Sequence, residues 1–155
     1  MKSFLLDKVV FYTKAIIFLS AVNSLLLQYV PVEKILKTAK PGDLIEIHRG
    51  HYCHWAMYSD EEGKVINIPA EGKDVDKVTI TKEDLLEVVG VCPVRINNQE
   101  RIAARFGLKK RSPEKALSAA KAALGKTLPY SFLGKNCECY CTEWLYGAGF
   151  STQVK

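Results

Sequence analysis

Between Pro41 and Ile68 the chain falls into short runs of alternating apolar and polar residues, with turn-forming residues between them. Pro41-Gly42-Asp43 is a turn signal, and Leu44 to His48 then alternates as a strand. Arg49-Gly50 reverses the chain, and His51 to Tyr58 reads as the hairpin partner. Asp60 to Gly63 forms a second turn before a third strand, Lys64-Val65-Ile66-Asn67-Ile68. Successive strands joined by such short turns pair antiparallel, so this half of the chain is committed to a small antiparallel sheet.

Downstream the rhythm changes. Val78-Thr79-Ile80 is a short fourth strand, and Thr81 is expected to cap a helix over Lys82 to Val88, with Asp84 at the capping-box position. Val89 to Ile96 reads as a strand, at an edge because of Pro93. Asn97-Asn98 turns into a short helical run, Gln99 to Phe106. Ser112 and Pro113 start an alanine-rich helix that Gly125 ends. The last helix begins at Asn136, a good N-cap, and stops near Gly147 or Gly149. The fold class is therefore α+β, a small antiparallel sheet followed by helices.

Residues 1–38 stand apart from the catalytic-sized remainder, 39–155. No charge occurs from Ala15 through Val32, although Ser20, Asn23, Ser24, Gln28 and Pro31 dilute the apolar run. That stretch is at the short end of the roughly 20 residues a membrane span needs. An interfacial or weakly anchoring helix is the favoured expectation. A packing helix of the domain and a cleaved signal are the alternatives.

The net charge of +5 is scattered, except for Lys109-Lys110-Arg111. This run reads as a solvated turn before a helix. As a functional patch it would suit a phospholipid headgroup surface better than nucleic acid, for which no motif is present. The five cysteines, Cys53, Cys92, Cys137, Cys139 and Cys141, make a poor disulfide framework and suit a reducing compartment. Cys137, Cys139 and Cys141 point in different directions on a helix, and His48, His51 and His54 cannot easily converge from a strand, so no metal site is expected.

Chemistry concentrates at two places. Cys137 follows the N-cap Asn136, where the helix dipole and free backbone donors lower a thiol pKa and offer half an oxyanion hole. His54 shares one strand face with Tyr52, Ala56 and Tyr58. A nearby imidazole can take the proton of a thiol. Asn67 points opposite to Ile66 and Ile68, and an amide there can hold an imidazole in one tautomer. Each has a plainer explanation: a small buried thiol, a core histidine, a surface asparagine.

Gly42-Asp43-Leu44-Ile45-Glu46, Arg49 with His54-Trp55-Ala56-Met57-Tyr58, Tyr130-Ser131-Phe132, and Asn136-Cys137-Glu138 with Trp144-Leu145-Tyr146-Gly147 occur in this order. Together they resemble the lecithin:retinol acyltransferase (LRAT) family, most closely its phospholipase A/acyltransferase, or H-Ras-like suppressor, branch. The resemblance covers about residues 40 to 148. It implies a permuted papain-like fold in which Cys137 attacks a glycerophospholipid ester, forms a thioester, and passes the acyl group to water, an amine or a lysolipid. It makes His54 the general base and then the acid, with Asn67 in the orienting place. Arg49, Tyr58 and Asn136 become candidates for holding the oxyanion or headgroup. No cofactor is implied. The implied partners are a phospholipid and a membrane surface, with no nucleic acid, and the protein is expected to be a monomer in the cytoplasm or on the cytoplasmic face of a membrane.

Two departures from the family pattern stand out. The family's third-strand histidine is Asn67 here, and the histidine of its N-C-E-H-F box is Cys139. The first is expected to weaken activity without abolishing it. The second should alter packing more than chemistry. A non-catalytic protein that binds membranes or a protein partner is the alternative reading. Many relatives end in a hydrophobic tail, whereas this sequence stops at Lys155, so any anchor is expected from the N-terminal segment.

Overall fold

The computed structural model describes residues 28–70 and 75–153. The expectation of an anchoring helix before residue 28 lies outside the described residues. Among those described, no helix is long and apolar enough to cross a membrane. One compact unit spans Pro31–Lys155 and takes in a first helix, α1 (Val32–Thr38), whose Ile35 is buried.

Three strands, β1 (Leu44–His48), β2 (Cys53–Tyr58) and β3 (Lys64–Asn67), form the expected antiparallel meander. It continues in a sheet of order β5-β3-β2-β1-β6, with β5 at Thr81–Asp84 and β6 at Val94–Ile96. β6 is an edge strand, as Pro93 predicts, and the Pro93 carbonyl still accepts from the His48 N–H.

The helix expected over Lys82 to Val88 is corrected. Thr81–Asp84 pairs with β3 in register Asn67↔Thr81 and Val65↔Glu83, and only Leu85–Val89 (α2) is helical. The capping pattern loses because the exposed edge of β3 offers these residues a hydrogen-bonding ladder that an isolated turn of helix cannot match. A second, two-stranded sheet pairs β4 (Lys77–Thr79) with β7 (Thr127–Pro129), a strand with no sequence signal. The Thr79 and Thr127 hydroxyls lie 2.9 Å apart across it.

The helices of the second half are α3 (Glu100–Arg105), α4 (Pro113–Ala123) and α5 (Cys137–Tyr146). Asn136 caps α5 by accepting the Cys139 N–H at 3.0 Å. Gly147 ends it with φ of 81°, a conformation that favours glycine. Arg111 is more than a solvated turn. Its backbone N–H donates to Leu145 O at 2.9 Å, placing a cation at the negative end of α5.

Strand parity decides what each sheet face carries. Leu44, Trp55, Met57 and Ile66 share one face and form a core with Ala116, Ala120, Tyr140, Cys141, Trp144 and Leu145 of α4 and α5. Ile45, Ile47, His54, Ala56, Tyr58, Val65 and Asn67 share the other face and are also buried. Full burial of one such large apolar side chain contributes about 1.5–3 kcal/mol, so these two layers supply most of the drive to fold. His54 and Asn67 are polar exceptions inside the second layer, and buried polar groups need partners.

Candidate active site

β3 pairs with β2 only as far as Ala56↔Asn67. The backbone of Cys53 and Trp55 beyond that point is therefore not laddered to β3, and the start of α5 fills the gap. The Cys137 sulfur lies 3.8 Å from Cys53 O, and the Trp55 backbone N–H, on the same strand edge, also bears on it. Both groups flank His54 in the chain. The thiol is thus held against the backbone on either side of the histidine.

Burial pushes the Cys137 thiol up to about 12, even though the backbone donors of Trp55 and Glu138 pull the other way. The sequence expectation of a lowered thiol pKa is corrected: only 4% of Cys137 is exposed, and desolvation of a thiolate outweighs the field of a ten-residue helix. At neutral pH this cysteine is a thiol, so any nucleophilic role would call for a base.

His54 is 1% exposed, and its Nε2 lies 2.5 Å from Asn67 Oδ1. The register makes these two residues diagonal neighbours on one face. Asn67 Nδ2 donates to Glu83 Oε2, so Oδ1 is the atom turned to the imidazole. An oxygen acceptor there puts the ring proton on Nε2 and leaves the lone pair on Nδ1. The surface alternative for Asn67 is excluded by its 3% exposure.

Tyr130 lies beside Cys137, and sequence reasoning left it out of its candidates although Tyr130-Ser131-Phe132 was among the resembling runs. It follows β7, and its backbone N–H is fixed to Asp76 O at 2.8 Å. Burial, and then the Cys137 thiol beside it, raise the Tyr130 phenol well above its ordinary value, and the Cys137 backbone N–H also bears on that hydroxyl. A phenol and a helix N-terminal amide beside the sulfur are two donors of the kind that stabilise an oxyanion.

Glu138 is fully buried next to the nucleophile. Its Oε1 accepts from Gln99 Nε2 at 2.7 Å, Thr152 N at 3.0 Å and Thr152 Oγ1 at 2.8 Å. Its Oε2 accepts from Ser151 Oγ at 2.6 Å and Gln153 Nε2 at 3.2 Å. Gln153 Oε1 in turn accepts the Cys53 N–H at 2.6 Å. This carboxylate ties residues 151–153 and the start of α3 to the first turn of α5.

The three residues expected to hold an oxyanion or headgroup have other work. The Arg49 guanidinium donates to Val89 O at 3.0 Å and to Val88 O, closing the end of α2. The Tyr58 hydroxyl accepts the Gly63 N–H at 3.0 Å in the β2–β3 turn. It stands four strand positions from His54, about 13 Å along β2. Asn136 Nδ2 donates to Phe132 O and Ser151 Oγ, each at 3.2 Å, so both of its amide hydrogens hold structure. Cys139 turns away from the site, its thiol donating to Gly134 O at 3.2 Å. Among the described residues no group of three or more His, Cys, Asp or Glu side chains is placed to hold a metal ion.

A cysteine at a helix N-terminus, an imidazole in the strand it abuts and a carboxamide bonded to the ring are the residue types of a papain-like thiol site, with the histidine strand ahead of the cysteine helix in the chain. A family model described as lecithin retinol acyltransferase matches residues 37–150. The chain is 34% identical over 128 residues to phospholipase A and acyltransferase 4 of Homo sapiens, covering 75% of each sequence. It is 36% identical over 125 residues to phospholipase A and acyltransferase 1 of Rattus norvegicus, covering 74% of this chain and 72% of the relative. The chain belongs to the lecithin retinol acyltransferase family.

Proposed function

We propose that this protein is a thiol-dependent phospholipase A and acyltransferase that moves a fatty acyl group from a glycerophospholipid to water, an amine or a lysolipid. The observation that carries the reading is the His54 Nε2 to Asn67 Oδ1 hydrogen bond, beside a Cys137 sulfur seated against the backbone flanking His54. His54 Nδ1 takes the thiol proton as sulfur attacks the ester carbonyl. The Tyr130 hydroxyl and the Cys137 N–H receive the developing oxyanion. Collapse breaks the ester C–O bond, His54 returns the proton to the leaving alkoxide, and a lysophospholipid departs from a Cys137 thioester. The acceptor then loses its proton to His54 and attacks the thioester, regenerating the thiol. A positioned base of this kind contributes typically 10²- to 10⁴-fold in rate.

The substrate lies in a membrane, and the surface near the site suits that work. Phe132 and Leu133, 47% and 72% exposed, stand on the loop that leads into α5, with Lys135 close behind. An apolar tip beside a cation is the pattern of an interfacial contact. The burial of Cys137 favours a second reading, a catalytically silent member that binds membranes or a protein partner.

The test is intact mass spectrometry of the protein incubated with phosphatidylcholine vesicles. An acyl adduct, released by hydroxylamine and missing in Cys137→Ala, is expected. A folded, vesicle-bound protein that never acquires the adduct would establish the silent reading instead.

A further inference from the structure

Lys82, Glu83 and Asp84 are three consecutive charged residues on the edge strand β5, and they do not face the same way. Lys82 and Asp84 make surface pairs, Lys82 Nζ with Glu61 Oε2 at 3.1 Å and Lys64 Nζ with Asp84 Oδ1 at 2.8 Å. Glu83 lies between them, so strand parity sends it to the opposite face, the face of His54 and Asn67. There its Oε2 accepts from Asn67 Nδ2 and, at 2.8 Å, from Thr81 Oγ1. Thr81 stands directly across from Asn67 in the register. The hydroxyl therefore fixes the carboxylate at the place where the amide nitrogen must meet it.

A carboxamide has two nearly isosteric ends, and an asparagine facing only a neutral imidazole can present either one. With Oδ1 toward the ring, the proton sits on Nε2 and Nδ1 is basic. With Nδ2 toward the ring, Nε2 must accept, the proton sits on Nδ1, and the base is disabled. A histidine's tautomer is set by the partner of its other nitrogen, and that partner's orientation is set one bond further out. Glu83 holds that outer bond.

We propose that Glu83 is a positioning residue of this site. By accepting from Asn67 Nδ2 it fixes the amide's orientation, and so keeps His54 in the tautomer with its lone pair on Nδ1. A row of side chains, Glu83 to Asn67 to His54, then runs from the sheet edge to the imidazole. The proposal rests on the thiol–imidazole reading of the site, and its test has a readout independent of turnover.

The experiment is nitrogen NMR of protein labelled with 15N-histidine. Its three histidines are His48, His51 and His54, and His54 is assigned by its loss in His54→Gln. Wild type is expected to show His54 protonated on Nε2. Glu83→Lys replaces the acceptor with a donor, turns the Asn67 amide over and moves the ring proton to Nδ1. Glu83→Gln keeps an acceptor oxygen and is expected to keep the wild-type tautomer. Acylation of Cys137 should fall on the order of 10²-fold in kcat for Glu83→Lys, with little change in KM, and stay within about threefold of wild type for Glu83→Gln. If Glu83→Lys does not fold, Glu83→Ala is used, and a mixture of both tautomers is expected. A folded Glu83→Lys or Glu83→Ala protein that keeps the pure Nε2–H form overturns the proposal. Absence of any Cys137 acylation in wild type would overturn the acyl-transfer reading alone, because the tautomer still reports on Glu83.

Discussion

Replacing Glu138 by glutamine keeps the side chain's shape but changes one acceptor into a donor, in a place where five donors converge on two oxygens. The Oε1 side holds Gln99 Nε2, Thr152 N and Thr152 Oγ1, so the variant's amide oxygen stays there and its NH2 replaces Oε2. Ser151 can rotate its hydroxyl to accept. Gln153 Nε2 cannot. If the Gln153 amide flips instead, the Cys53 N–H loses the oxygen it meets at 2.6 Å. One half-buried donor is stranded either way, at a cost toward the low end of about 1–3 kcal/mol, and the remaining bonds lose the charge assistance of a carboxylate. The sum is about 3 kcal/mol. For a folded unit of this length that lowers Tm by about 10 °C. Differential scanning fluorimetry of Glu138→Gln at neutral pH measures it, and iodoacetamide labelling of Cys137 should quicken as residues 151–153 loosen. A fall of less than about 2 °C with unchanged labelling would refute the view that this carboxylate holds the floor of the site.

Two further outcomes follow from the geometry. The folded-state pKa of Cys137 is raised from 9.0 to about 12, so the stability tied to its protonated form is complete below pH 9 and is lost as pH rises toward 12. Between pH 8 and 10.5 this thiol alone costs the wild type about 2 kcal/mol that Cys137→Ala does not lose. Thermal melts of both proteins at the two pH values check it, and parallel behaviour would show that the thiol is not desolvated. Changing Phe132 and Leu133 together to aspartate is expected to cut sedimentation with phosphatidylcholine vesicles severalfold while leaving Tm within about 2 °C, since both side chains are exposed; undiminished binding would remove this loop from the membrane contact.

The local chemistry of the chain settled much of this protein on its own. The turn residues at Gly42, Gly50 and Gly63 and the short apolar runs between and after them specify the β1–β2–β3 meander, since runs this short joined by tight turns pair antiparallel. Asn136 and Gly147 bound α5 by capping rules that act within a single turn. Strand parity put His54 and Asn67 on defined faces, and capping put Cys137 at a helix start, so the candidate triad was legible. Long-range pairing decided the rest. Lys82-Glu83-Asp84 has no intrinsic preference for a strand, and only the open edge of β3 makes it one, which is why Glu83 could not be seen as a neighbour of Asn67. Thr127–Pro129 became a strand for the same reason, through pairing with Lys77–Thr79. Arg49, Tyr58 and Asn136 carry polar groups whose partners are backbone atoms of turns and helix ends, and no sequence pattern names those. The thiol's protonation was decided last and by burial. A helix dipole is a property of the local chain, but the desolvation that overrides it at Cys137 exists only once β2 and α5 are packed together.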